Sequence, residues 1–124
     1  MPIKVLLVDD EKDLIELTKR HLEFRGFETV CAYDGLDALD KIKKAKPDVV
    51  LLDLFMPIMH GYEVCRKIKE NKTTKDIPVI LFSAGLCKGS CPKEAKDVGA
   101  VDFVAKPFDI EELADKIKFY ASRR

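Results

Sequence analysis

The chain has 124 residues, with 22 Lys+Arg against 22 Asp+Glu for a formal net charge of zero, and 47% of its residues are hydrophobic. That size and balance fit one compact soluble domain and leave little room for two. The signs are mixed and the pI is about 6.7, which excludes a basic field able to hold nucleic acid or anionic lipid, and the longest apolar runs fall far short of the roughly 20 residues of a membrane helix, so the expected location is the cytoplasm.

Taken in order, short β-branched apolar runs alternate with longer stretches of helical spacing. A strand is predicted over 3–8, followed by a helix whose inner stripe is Leu14, Ile15, Thr18 and Leu22, with Gly26 suited to a left-handed stop. A second strand covers 29–32, Asp34 can cap the next helix, and Leu36, Leu39 and Ile42 form its stripe. The run 49–52 lacks in/out alternation, as a strand buried on both faces should. Val64, Cys65 and Ile68 mark a third helix, and 79–82 a fourth strand. Residues 84–98, AGLCKGSCPKEAKDV, contain Gly85, Gly89 and Pro92, so a long loop and a short helix over 92–98 are expected there. Gly99 can end that helix and 101–105 is a fifth strand. Ile110, Leu113, Ala114 and Ile117 line a last helix, which Asp109 can cap, with Glu112 completing a capping box.

Strands joined by single helices require right-handed crossovers. The expected architecture is therefore α/β: a doubly wound (βα)5 domain over 1–124 with a five-stranded parallel sheet in the order 2-1-3-4-5. Four Cys are too few for a disulfide scaffold and show no zinc spacing. Cys31 and Cys65 read as small core residues, while Cys87 and Cys91 are the pair to which a redox or metal role could attach, with Lys88 and Lys93 their only activating neighbours.

In open α/β sheets ligands bind outside the carboxyl ends of the strands. There the first run ends in Asp9 and Asp10, the third in Asp53, the fourth in Ser83 and the fifth in Lys106. Singly these are a helix cap, a turn serine and a solvated lysine; together on one edge they form a constellation. Carboxylates about 5 Å apart repel by roughly 3 kcal/mol per pair at an effective dielectric near 20, which calls for a hard cation such as Mg²⁺. Beside such a cation a carboxylate oxygen can attack phosphorus, and Asp53, alone at the end of a central strand, is the natural nucleophile. Ser83 and Lys106 can hold the phosphoryl oxygens.

The runs VLLVDDE (5–11), DGLDAL (34–39), PDVVLLDLFMPIMHG (47–61), PVILFSA (78–84) and GAVDFVAKPF (99–108) together resemble the receiver domain of a two-component response regulator, the CheY-like family with its flavodoxin-like fold. The resemblance implies that Asp53 accepts a phosphoryl group from a phosphohistidine on a sensor histidine kinase or phosphotransfer protein. It implies that Asp10, Asp53 and the Phe55 carbonyl bind Mg²⁺, for which Mn²⁺ can substitute. Asp9 would help directly or through water, and Lys106 would pair with Asp53 or its phosphate. It further implies that Ser83 and Phe103 are the switch pair and that Lys106–Pro107 is a cis peptide. On this basis the chain is a signalling switch, enzymatic only toward its own phosphorylation and dephosphorylation. It acts as a monomer or a phosphorylation-dependent homodimer on a downstream protein target that the sequence does not name.

Four features depart from the family pattern, the pair Cys87 and Cys91 among them. His60 stands where members often carry Asp and reads as a cap or loop residue; His21 reads as a helix-surface residue. Phe55 is bulky and is expected to shield the acyl phosphate from water, slowing its loss. The glycine-rich 84–98 segment points to an unusual output surface. Of the rival classes, a haloacid dehalogenase-type phosphatase would need DxDxT/V after the first strand, and a flavin domain a Ser/Thr/Gly-rich loop; Asp9-Asp10-Glu11-Lys12-Asp13 is neither. Two readings stay open beside the switch: a phosphorylation-independent receiver acting as a binding module, and a receiver fragment of a larger regulator.

Overall fold

Hydrophobic residues occupy both faces of the strands, and that decides the layering. In the computed structural model, which describes residues 2–54, 56, 59–83, 97–105 and 108–122 and only the backbone of Ser83, the described elements are β1 (Lys4–Val8), α1 (Lys12–Phe24), β2 (Glu28–Ala32), α2 (Gly35–Ala45), β3 (Val49–Asp53), α3 (Gly61–Glu70), β4 (Val79–Ser83), β5 (Asp102–Ala105) and α4 (Ile110–Ala121). The five strands form one sheet in the order β2-β1-β3-β4-β5, and every neighbouring pair is parallel. This is the doubly wound order expected from the alternation of strands and helices.

Side chains alternate across the sheet with period two, but both faces are apolar because both are covered. Leu6, Val8, Val50, Leu52, Val79 and Leu81 pack with Ala38 and Ile42 of α2 and with Val64, Cys65 and Ile68 of α3. Val5, Leu7, Val49, Leu51, Ile80 and Phe82 pack on the other face with Leu22 of α1 and Leu113, Ala114 and Ile117 of α4. All five residues of β3 are buried, which places the central strand's end, Asp53, at the floor of whatever lies above it.

Local signals close the elements. Asp34 accepts the Asp37 amide at 2.8 Å at the start of α2, and Gly26 and Gly99 both have positive φ. The capping box expected at Asp109 is replaced by a single bond, in which its carboxylate accepts the Glu111 amide at 2.9 Å and Glu112 is not enlisted.

Other expectations are corrected. Leu36 is not on the inner stripe of α2: it is 61% exposed, and the buried face is Gly35, Ala38 and Ile42. The cause is close packing, since a Cβ on Gly35 would lie 2.8 Å from Val64 Cγ2 and 2.9 Å from Met59 Cβ, leaving no room for a large residue there. β1 begins at Lys4 rather than Ile3, and β5 at Asp102, with Val101 exposed before it. Cys31, on the edge strand β2, is half-buried rather than fully in the core, whereas Cys65 is buried. His21 is exposed on α1, as expected. The loop and short helix expected over 84–98, with Cys87 and Cys91, lie almost wholly outside the described residues.

Candidate functional site

Strand register brings the acids together. Val8 of β1 is paired with Leu52 of β3, so the residues one step beyond, Asp9 and Asp53, stand side by side on neighbouring strands, with side chains on the same face by the period of two. The Asp9 amide donates to the Ala32 carbonyl at 3.2 Å, which holds the chain in extended form one residue past β1. Asp10 then turns outward. Carboxylate oxygens of Asp9, Asp10 and Asp53 all lie within 4.8 Å of one another; Asp9 and Asp53 are buried and Asp10 is exposed. Exposures of 1% for Asp9 and 4% for Asp53 mean that water gives these two little relief from mutual repulsion.

The polypeptide supplies part of the compensation. The Glu11 amide donates to Asp9 Oδ1 at 2.9 Å, at the mouth of α1. Glu11 is the N-cap of that helix, so the amide that Asp9 accepts belongs to the amino end of α1, where the helix dipole favours negative charge. On the far side of Asp53, α3 starts against the strand: the Gly61 amide donates to the Leu54 carbonyl at 2.8 Å. His60 caps α3, its Nδ1 accepting the Tyr62 amide at 3.2 Å, as its reading as a cap residue anticipates.

These donors suit a particular ion. An all-oxygen set with two buried carboxylates and one that faces solvent fits a hard divalent cation that keeps several waters. It does not suit zinc, which favours Cys and His.

The remaining sequence candidates are distributed as follows. The Ser83 backbone ends β4 and pairs with Ala105, the residue before Lys106; its side chain, together with Phe55, Lys106 and Pro107, lies outside the described residues. Phe103 is on β5, paired with Leu81, half-buried and packed against the α2–α3 face of the core.

A polar cluster that the sequence did not reveal sits next to it. Asp102 accepts the Lys116 ammonium at 2.8 Å and the Tyr120 hydroxyl at 2.9 Å, both from α4, and its other oxygen accepts the Phe103 amide at 2.7 Å. Burial pushes the Asp102 carboxyl up, but the bonds from Lys116, Phe103 and Tyr120 outweigh it and bring the group below the ordinary carboxylate range. The bond to Asp102 in turn raises Lys116. The signal was present as Lys116 and Tyr120 four apart on one helix face, but nothing in the sequence tied that pair to an acid in a strand.

Comparison with known proteins identifies the family. The family profile of the response regulator receiver domain matches residues 5–118. The chain belongs to that family. It is similar to the response regulator MprA of Mycobacterium sp. (strain KMS), with 38% identity over 120 residues that make up 95% of this chain and 50% of that protein. A Mycolicibacterium vanbaalenii MprA is likewise 38% identical over the same share of each. The receiver thus spans about half the length of the curated relatives it matches. Among solved structures, chemotaxis protein CheY4 of Vibrio cholerae superposes with a TM-score of 0.90 at 31% identity, covering 97% of this chain and 99% of that one. The receiver domain of Francisella response regulator 1452 gives 0.89 at 31%, covering 98% of each. The chain is therefore a receiver domain of two-component response-regulator type, with the CheY-like fold.

Proposed function

We propose that this receiver takes a phosphoryl group onto Asp53 from a phosphohistidine of a sensor histidine kinase or phosphotransfer protein, and that the modified domain changes its affinity for a downstream protein. The observation that carries this reading is the convergence of Asp9, Asp10 and Asp53 within 4.8 Å at the carboxyl edge of the sheet. Family membership over residues 5–118 supports it.

Asp9, Asp10 and Asp53, with the Phe55 carbonyl, would hold Mg²⁺ or Mn²⁺. When bound, the cation offsets the carboxylate charge and the charge on the transferring phosphoryl oxygens. Asp53 ends a strand whose five residues are all buried, which restricts the freedom of its side chain. That oxygen forms a bond to phosphorus as the phosphorus–nitrogen bond of the donor breaks. The bonding pair stays on the departing imidazole, and the product is an acyl phosphate.

Lys106 and the Ser83 hydroxyl are assigned to the phosphoryl oxygens and Phe103 to the coupled aromatic position, all on family grounds. Hydrolysis returns the carboxylate and inorganic phosphate, so the chain's chemistry is directed only at itself. The output of the whole protein depends on what this domain is joined to or binds.

Incubation with Mg²⁺ and acetyl phosphate, beside Asp53→Asn, tests the reading. Phosphate labile to alkali and hydroxylamine is expected on the wild type alone. Equal labelling of both proteins would overturn it, and no labelling even with a competent kinase would favour a receiver that acts only as a binding module.

A further inference from the structure

Asp102 does more than an ordinary strand residue needs to. A carboxylate is a rigid planar group with two acceptor oxygens, and here Oδ1 takes the amide of the next residue, Phe103, at 2.7 Å while Oδ2 takes Lys116 Nζ at 2.8 Å and Tyr120 Oη at 2.9 Å. The first bond belongs to β5, an edge strand of only 4 residues. The other two come from α4, whose adjoining face is anchored in the core by Leu113, Ala114 and Ile117.

We infer that Asp102 is a positioning residue that yokes the Phe103 peptide of β5 to α4, so that a displacement of either is felt by the other. The bonds are partly buried, where water competes less well for the donors. A recess lined by Phe103, Ala105, Phe108, Glu112 and Lys116 adjoins the yoke. A turn of the Phe103 peptide rotates the carboxylate plane and thereby shifts both α4 donors. α3 braces the approach to the same strand: Cys65 Sγ lies 3.5 Å from the Val98 carbonyl, and a Cβ on Gly99 would lie 2.9 Å from Lys69 Cγ. Resting on the proposed function, the yoke gives α4 a route by which it follows Phe103 when Asp53 is modified.

Two measurements on the full chain separate this inference from the function it deepens. In the unliganded protein, Lys116→Met and Tyr120→Phe are made on α4 and read at the Phe103 amide by NMR and hydrogen exchange. A changed Phe103 resonance and exchange faster by about fivefold are expected, with Asp102→Asn, which keeps the acceptor oxygen, closer to wild type than Asp102→Ala. A Phe103 amide unmoved by both α4 variants overturns the yoke, whatever happens at Asp53.

In the second arm, beryllofluoride with Mg²⁺ stands in for the phosphoryl group. In the wild type, resonances of Phe103 and of residues 116–120 shift together. In Asp102→Ala the Phe103 shift persists and the α4 shifts fall about threefold or more; undiminished α4 shifts contradict the yoke. Failure of the wild type to form the adduct counts against the proposed function and leaves the first arm to decide the yoke.

Discussion

The α-carbon of Gly61 is pressed against the backbone of Asp53: a Cβ at position 61 would lie 2.4 Å from the Asp53 carbonyl oxygen and 2.7 Å from Leu54 Cα. No side chain fits that gap without moving the strand end that carries the candidate nucleophile. The first turn of α3 and the floor of the site are therefore one packed unit.

Gly61→Ala is expected to destabilise the domain by about 1–3 kcal/mol, the usual range for forcing a methyl group into packed backbone. It should also weaken Mg²⁺ binding by displacing Asp53. Chemical denaturation and Mg²⁺ titration check both effects. An unchanged midpoint together with unchanged Mg²⁺ affinity would show that the contact is not restrictive.

His60 caps α3 through a 3.2 Å bond from the Tyr62 amide to its Nδ1, and its ring lies against that of Tyr62, tilted by 34° with centroids 5.2 Å apart. Asp is a better N-cap and also favours the positive helix end. His60→Asp should stabilise the fold by about 0.5 kcal/mol, read as a rise in the denaturation midpoint. A fall would mean that the ring contact with Tyr62 outweighs the cap.

Cys65 is buried in the core, and that burial raises its thiol from 9.0 to about 11. The folded state therefore keeps its proton at a pH where the unfolded chain has lost it. The associated stability is complete below pH 9.0 and is lost as pH rises toward about 11. Stability should decline across that window, and Cys65→Ala, less stable overall, should remove that part of the decline. Thiol titration at neutral pH should find Cys65 protected until the protein unfolds; prompt modification in the native state would contradict its burial.

The sequence carried the fold because the inner strands are apolar runs that each end in a residue of different chemistry, as at Val8–Asp9 and Leu52–Asp53. Register then did what periodicity alone could not, placing Asp9 beside Asp53. α2 was harder to read because its inner face is built from Gly35, Ala38 and Ile42. Small residues are selected there by close approach to Val64 and Met59, so hydropathy spacing favoured the exposed Leu36. The Asp102 cluster was invisible for another reason: its partners lie 14 and 18 residues away along the chain, and only the docking of α4 on β5 makes them neighbours.

If Asp9, Asp10 and Asp53 form one cation site, as proposed, calorimetric titration with Mg²⁺ should detect it. The wild type should bind one equivalent, and Asp9→Asn, Asp10→Asn and Asp53→Asn should each weaken binding by about tenfold or more while the fold persists by circular dichroism. Unaltered Mg²⁺ affinity in Asp53→Asn and Asp9→Asn, or no binding by the wild type, would contradict the account.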